Sequence, residues 1–161
     1  MKSHSLAIAG LLSQYLPENA ITGVLANIAV ETGGSFDYTQ KQKNGPGYGL
    51  FQFDSQKPFY FKYLESEGLE DSAEAQVKFV ADAIYNNKSD AEGKYTGALD
   101  LGGPARRAIQ KSFNEDSTAD ITKTFSNRYE NPSKPNMGER LQSAEKLDMF
   151  KGMLSNPLKF L

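Results

Sequence analysis

Glu31 closes an otherwise apolar helical run, Ala20-Ile-Thr-Gly-Val-Leu-Ala-Asn-Ile-Ala-Val-Glu31, and Thr32-Gly33-Gly34 follows at once. Val24, Asn27 and Ile28 stand seven, four and three positions earlier, which places Glu31 on or beside the apolar stripe of one helix. Gly33-Gly34 supplies the left-handed turn that ends such a helix. A carboxyl on that stripe resists ionisation, as a general acid at neutral pH requires. Removing its charge is then expected to leave the fold unharmed or slightly stabilised. The alternative is a helix-edge Glu that reaches out to water.

Three further side chains of the right chemistry follow within 23 residues of Glu31. Asp37 stands in the loop after the helix. Asp54 ends the run Gly47-Tyr-Gly-Leu-Phe-Gln-Phe-Asp54. Either offers a second carboxylate, to activate water or to stabilise a cation, with Asp37 slightly preferred for reach; each is equally readable as a turn Asp capping local amides. Gln52, on the same run, is a polar side chain able both to donate and to accept hydrogen bonds. An acid with a second carboxylate about 5 Å away suits a retaining glycosidase, and about 6.5–9.5 Å an inverting one.

The elements that must position these groups are mostly helices. Asn44-Gly45 and Pro46-Gly47 punctuate the stretch after Glu31 as a small β-hairpin. In an extended run there, Tyr48, Leu50, Gln52 and Asp54 share one face, with Phe51 and Phe53 on the other. Leu6 to Leu16 reads as a first helix stopped by Pro17, rather than as a signal peptide, because the apolar run is minimal and no small-x-small site follows. Pro58 opens a helix that Gly68 ends. Asp71-Ser-Ala-Glu74 resembles a capping box before a helix with Ala73, Val77, Val80 and Ile84 on one face. The polar, Gly-rich stretch from Tyr85 to about Gly103 reads as loop with one short helix. Further helices are predicted from Pro104 to Phe113, from Ser117 or Thr118 through Ile121, Phe125 and Tyr129, and from Gly138 to about Phe150. Asn131-Pro-Ser-Lys-Pro135 breaks the chain between the last two.

Asn27-Ile-Ala-Val-Glu31-Thr-Gly-Gly followed by Gly47-Tyr-Gly-Leu-Phe-Gln52-Phe resembles the lysozyme superfamily, specifically the phage tail lysozymes. Phe59-Tyr-Phe-Lys-Tyr-Leu through Gln76-Val-Lys-Phe79-Val resembles the family's middle helices. Thr124-Phe-Ser-Asn-Arg-Tyr-Glu-Asn-Pro132 through Gly138-Glu-Arg140-Leu-Gln-Ser-Ala144 resembles its C-terminal motifs, so that residues 5 to 150 are covered. Phe53 stands where the family usually has Trp, and Asn131 where Arg is common.

The resemblance implies a lysozyme-like, mostly α fold (α+β, with the small β-hairpin between helices) and Glu31 as the proton donor to a glycosidic oxygen. It implies Tyr48, Gln52 and Phe53 along a sugar-binding groove, with Tyr129 contributing from the far lobe, although an aromatic at helical spacing is as readily core. The implied activity is a peptidoglycan muramidase that cleaves MurNAc–GlcNAc bonds, carried on a phage virion or tail beside other virion proteins, made in the host cytoplasm and acting on the cell wall. Lysis-time endolysin duty is also open. A lytic transglycosylase, which needs only one acid/base Glu, is the alternative enzyme. A non-enzymatic virion or wall-binding module is the alternative outside enzymology, and an intact Glu31 with an intact Gln52 segment weighs against it.

Composition bounds the rest. The 161 residues make one domain over 1–161, with 152–161 as a short apolar tail able to dock on the body or on a neighbour. A hydrophobic content of 39% beside 24% charged residues is that of a folded globular chain. Zero cysteines exclude a disulfide framework and thiol chemistry, and a single His4, expected in a mobile N-terminus, supports neither a His-based triad nor a zinc site. No metal or cofactor is expected. A net charge of −2 argues against nucleic acid as a partner, and no stretch is long enough for membrane insertion.

Overall fold

The computed structural model describes residues 2–86, 101–132 and 135–155. The element order is α1 (Lys2–Tyr15), α2 (Glu18–Glu31), α3 (Lys57–Glu67), α4 (Ala73–Tyr85), α5 (Gly103–Glu115), α6 (Thr118–Phe125) running into a π-helical turn (Ser126–Glu130), and α7 (Met137–Ser155). His4 lies in α1, on an exposed part of that helix, and not in a mobile end. The predicted loop between Tyr85 and Gly103 and the tail beyond 155 fall largely outside the described residues.

α2 is the axis of the molecule. Ala20, Thr22, Gly23, Val24, Leu25, Ala26, Asn27 and Ile28 are all buried, which is the pattern of a helix surrounded by others. It packs against α1, α5, α6 and α7. Gly23 lets α6 come close: a Cβ there would stand 2.6 Å from Cγ2 of Ile121 and 3.1 Å from the Thr122 amide nitrogen. Gly23→Ala gains helix propensity of about 1 kcal/mol, yet it forces a rigid β-branched side chain and a backbone apart. A net loss of about 1–2 kcal/mol follows, read as a fall in Tm of about 2–8 °C.

Local signals ended the helices as expected. Gly68 stops α3 with φ +62°, and the Ser117 hydroxyl accepts the Asp120 amide at the start of α6. The start of α4 differs from the predicted capping box by one residue. Ser72, not Asp71, is the N-cap, and its Oγ accepts the Ala75 amide at 3.0 Å. Asp71 is thereby released for other partners, and Glu74 accepts the Tyr15 hydroxyl at 2.9 Å, tying α4 to α1.

The predicted hairpin is reduced to two isolated antiparallel bridges, Lys41 with Tyr48 and Tyr48 with Phe53, and no strand forms among the described residues. The physical reason lies in the backbone. Gly49 (φ +82°) and Gln52 (φ +49°) are both left-handed, so the chain folds back on itself within Tyr48–Phe53 and never runs extended long enough to build a ladder. The Tyr48 amide donates to the Phe53 carbonyl at 3.0 Å, and the Phe53 amide returns the bond at 2.8 Å. Alternation between two faces is lost with the strand. Leu50, Phe51 and Phe53 all enter the core.

Gln76 holds this tight segment against α4. Fully buried, it accepts the Leu50 amide at 2.9 Å and donates to the Tyr38 carbonyl at 2.9 Å. A Cβ on Gly49 would lie 2.5 Å from its Oε1, so glycine there serves both the turn and the approach. Gln76→Leu keeps the volume but strands a buried amide and a carbonyl. It is expected to cost about 2–4 kcal/mol, with faster hydrogen exchange at Leu50 as the local signature.

Candidate active site

Glu31 ends α2 because Thr32, Gly33 and Gly34 turn the chain away. Gly33 and Gly34 have φ +60° and +83°, and the Gly34 amide donates to the Ala29 carbonyl at 2.7 Å. Thr32 locks the corner: its hydroxyl donates to the Ile28 carbonyl at 2.8 Å and accepts the Phe36 amide at 3.0 Å. The Glu31 side chain is thus presented at a fixed helix end, 16% exposed.

Its neighbour is a guanidinium rather than an apolar stripe. Arg140, on α7, donates from Nη2 to Glu31 Oε1 at 2.5 Å, from Nη1 to Asn27 Oδ1 at 2.8 Å and from Nε to the Pro135 carbonyl at 2.6 Å. The Arg140 side chain is 2% exposed. Asn27, one helical turn before Glu31, donates to the carbonyls of Gly23 at 2.9 Å and Thr122 at 3.2 Å. α2, α6 and α7 therefore meet in one polar network with Glu31 at its outer end. A buried cation held in three directions fixes the carboxylate beside it, since a rotation of either would leave charge unpaired.

The charges of Glu31 and Arg140 also act on a second glutamate. Glu130 is the last residue of the π-helical turn, where Asn131 follows in the left-handed region (φ +42°) and donates its amide to the Ser126 carbonyl at 2.7 Å. Asn is among the few side chains that tolerate such a φ, which accounts for Asn131 at a position where the resemblance led us to expect Arg. Glu130 Oε1 is buried and has no hydrogen-bond partner among the described residues. Burial pushes the Glu130 carboxyl well above the usual glutamate range; the charge of Glu31 pushes it the same way, and Arg140 opposes them.

The other predicted site residues fall elsewhere. Asp37 caps its own turn: Oδ1 accepts the Thr39 amide at 2.8 Å and the Thr39 hydroxyl at 2.7 Å. Those two bonds hold its carboxyl below the usual aspartate range. Asp54 is exposed, and neither aspartate bonds Glu31 among the described residues. Gln52 spends its amide NH2 on the carbonyls of Gly49 at 2.8 Å and Gln40 at 3.2 Å, which secures the tight segment. Tyr48 is half-buried and donates its hydroxyl to Asp71, which also accepts from Tyr60 at 2.5 Å and from Gln76 at 3.2 Å. The Lys57 ammonium lies 5.4 Å from the centre of the Tyr48 ring.

Phe53 and Tyr129 are corrections. Phe53 is 0% exposed, packed between Phe51, Tyr60 and Phe79 with ring centroids 5.0–5.8 Å away. Tyr129 is 2% exposed and stacks on Phe125 at 5.0 Å. Neither touches solvent enough to line a groove; helical spacing made Tyr129 core, and the fold-back at Gln52 turned Phe53 inward. Arg140 and Glu130 were missed as site residues, although both lie in the C-terminal motifs that carried the resemblance. The signal available was the four-residue spacing of Asn27 and Glu31, two polar groups on one buried face that require a partner from elsewhere.

Among the described residues no group of three or more His, Asp or Glu side chains is placed to hold a metal ion, and no helix is long and apolar enough to cross a membrane. No curated protein matches the chain. A family model described as phage tail lysozyme matches residues 5–150.

Proposed function

The chain belongs to the phage tail lysozyme family, and from that premise we propose that it is a muramidase, a hydrolase that cuts the β-1,4 bond between MurNAc and GlcNAc with Glu31 as general acid. The observation that carries this reading is the seating of Glu31: a partly exposed carboxyl at a rigid helix end, oriented by the buried Arg140. Cleaving a glycosidic bond requires a proton on the departing oxygen and relief of positive charge on the sugar ring. Glu31 is the group at this helix end able to supply the first. Family membership supports a phage particle or its tail as the carrier and the bacterial wall as the site of action, with other virion proteins as its neighbours there.

A second reading, a lytic transglycosylase, gains from one observation. Asp37 is committed to its Thr39 turn and Asp54 has no bond to Glu31, so neither is held as a base for water. In that chemistry the sugar's own hydroxyl attacks the anomeric carbon. Weighing the muropeptides released from purified sacculi separates the two: hydrolysis leaves reducing MurNAc ends, and transglycosylation leaves 1,6-anhydro ends lighter by one water. Reducing ends are expected. Cut peptides with intact glycan strands would overturn both readings.

A further inference from the structure

Phe61 of α3 is 42% exposed. A solitary ring of that kind would call for no explanation, but Phe61 is not solitary. Its ring centroid lies 6.0 Å from that of Tyr48, tilted by 34°, and 5.3 Å from that of Tyr60, edge to face. Both tyrosines donate their hydroxyls to one carboxylate, that of Asp71, with the Tyr60 bond 2.5 Å long. One acid therefore fixes the two rings on which Phe61 rests, and the exposed ring has a rigid floor.

A cation completes the patch. Lys57 stands four residues before Phe61 in α3, so the two share a helix face. Its ammonium is the one that lies 5.4 Å from the centre of the Tyr48 ring. Lys57 is half-buried, yet it forms no ion pair among the described residues. It also opens α3, the end of a helix where positive charge is least favoured, and no acidic residue of the first turn offsets it. The fold thus holds an ammonium beside an exposed ring with no internal acid to neutralise it. The patch is tied to the corner that ends α2. Gln40 accepts the Ser35 hydroxyl on Oε1 at 3.2 Å and the Gly49 amide on its carbonyl at 2.8 Å, and Lys41 pairs with Tyr48.

We propose that Tyr48, Lys57 and Phe61 form an accessory subsite for a muramoyl sugar that bears its peptide stem. The Phe61 ring takes the apolar C–H face of the pyranose, and the Lys57 ammonium takes a carboxylate of the stem. A pyranose carries hydroxyls around its rim and C–H groups on its faces, so a flat, fixed aromatic ring is its complement. An ammonium on a flexible side chain suits a carboxylate on a flexible peptide. An uncharged glycan would use the ring and leave the charge idle, and an acidic peptide alone would do the reverse. The stem-bearing sugar uses both. This rests on the reading of the chain as acting on peptidoglycan, and it adds the part of that polymer which the chain recognises.

The test is an NMR titration of the full chain with the disaccharide GlcNAc–MurNAc bearing its peptide stem. That ligand has no MurNAc–GlcNAc bond, so the proposed reaction does not consume it. The ring signals of Phe61 and Tyr48 and the side-chain signals of Lys57 should move. Affinity should exceed that for diacetylchitobiose by about threefold and should weaken with added salt. Phe61→Ala should weaken the stem-bearing disaccharide by about three- to tenfold, and Phe61→Tyr should restore it. Lys57→Met should remove both the preference over diacetylchitobiose and the salt dependence. Binding that leaves Phe61 unmoved, or equal affinity for the two sugars, would overturn the subsite. So would Phe61 signals that shift with protein concentration in the absence of sugar, which would assign the patch to a second copy of the chain. If Phe61→Ala does not fold by circular dichroism, the wild-type shifts and Lys57→Met decide. Glycan cleavage without these shifts would keep the muramidase and remove the subsite. Stem-dependent binding by a chain that cuts no glycan would do the opposite.

Discussion

Glu31→Gln should lower the rate of peptidoglycan cleavage by about a hundredfold or more, the scale of a positioned general acid. The amide keeps the shape of the side chain and can still accept from Arg140 Nη2, so the site stays assembled while the transferable proton is gone. Turbidity clearing of purified peptidoglycan, with circular dichroism on the same sample, reads rate and fold together. Near-full activity in a folded variant would end the assignment of Glu31. The accompanying change in stability has a sign that the sequence alone gets wrong. A carboxyl on an apolar stripe would be relieved by Gln, but Glu31 neutralises the buried Arg140, so its loss should destabilise by about 1–3 kcal/mol.

Arg140→Met should have the largest effect on the fold of any single substitution in the site. Methionine replaces the stem of the arginine but leaves Glu31, the Asn27 Oδ1 and the Pro135 carbonyl without their donor. Breaking a buried pair from one side costs about 3–5 kcal/mol, measured as a lower midpoint in urea. Arg140→Lys should recover little of this, because an ammonium cannot hold the fixed fork that reaches three acceptors. Activity should fall beyond the loss of folded protein, since Glu31 is no longer oriented. A fully stable Arg140→Met would show that the network does not hold α2 to α7.

What was legible in the sequence was what neighbours in the chain decide. Gly33-Gly34 stopped α2 at Glu31, Gly68 stopped α3, and Ser117 opened α6, each through bonds that span three to five residues. The small β-element was misread because alternation presumes an extended backbone, and Gly49 with Gln52 breaks that presumption by turning left-handed within four residues. Phe53 was placed along a groove by the resemblance, and the same fold-back carries it into the core. Tyr129 carried two compatible readings, wall or core, that only packing against Phe125 and Phe51 separates. Arg140 lies 109 positions from Glu31, and nothing local to either announces the other. Glu130 is harder still: its chemistry comes from what surrounds it, and a π-helical turn has no hydrophobic period to betray it. Asp71 was expected to cap α4; Tyr48 and Tyr60 from outside that helix, with Gln76 from within it, claimed its carboxylate instead.

The bond between Glu31 and Arg140 also has a bearing on when the chain becomes competent. A ribosome releases α2 long before it releases α7, so during synthesis the acid stands at a helix end with no counter-ion and no third helix to seat it. Closure across 109 positions is among the slowest contacts a chain of this length makes. A prematurely terminated product that stops short of Arg140 would carry the whole of α2 and the Gly49–Gln52 fold-back yet lack the group that orients Glu31. The seat of Glu31 is therefore completed last, with the docking of α7.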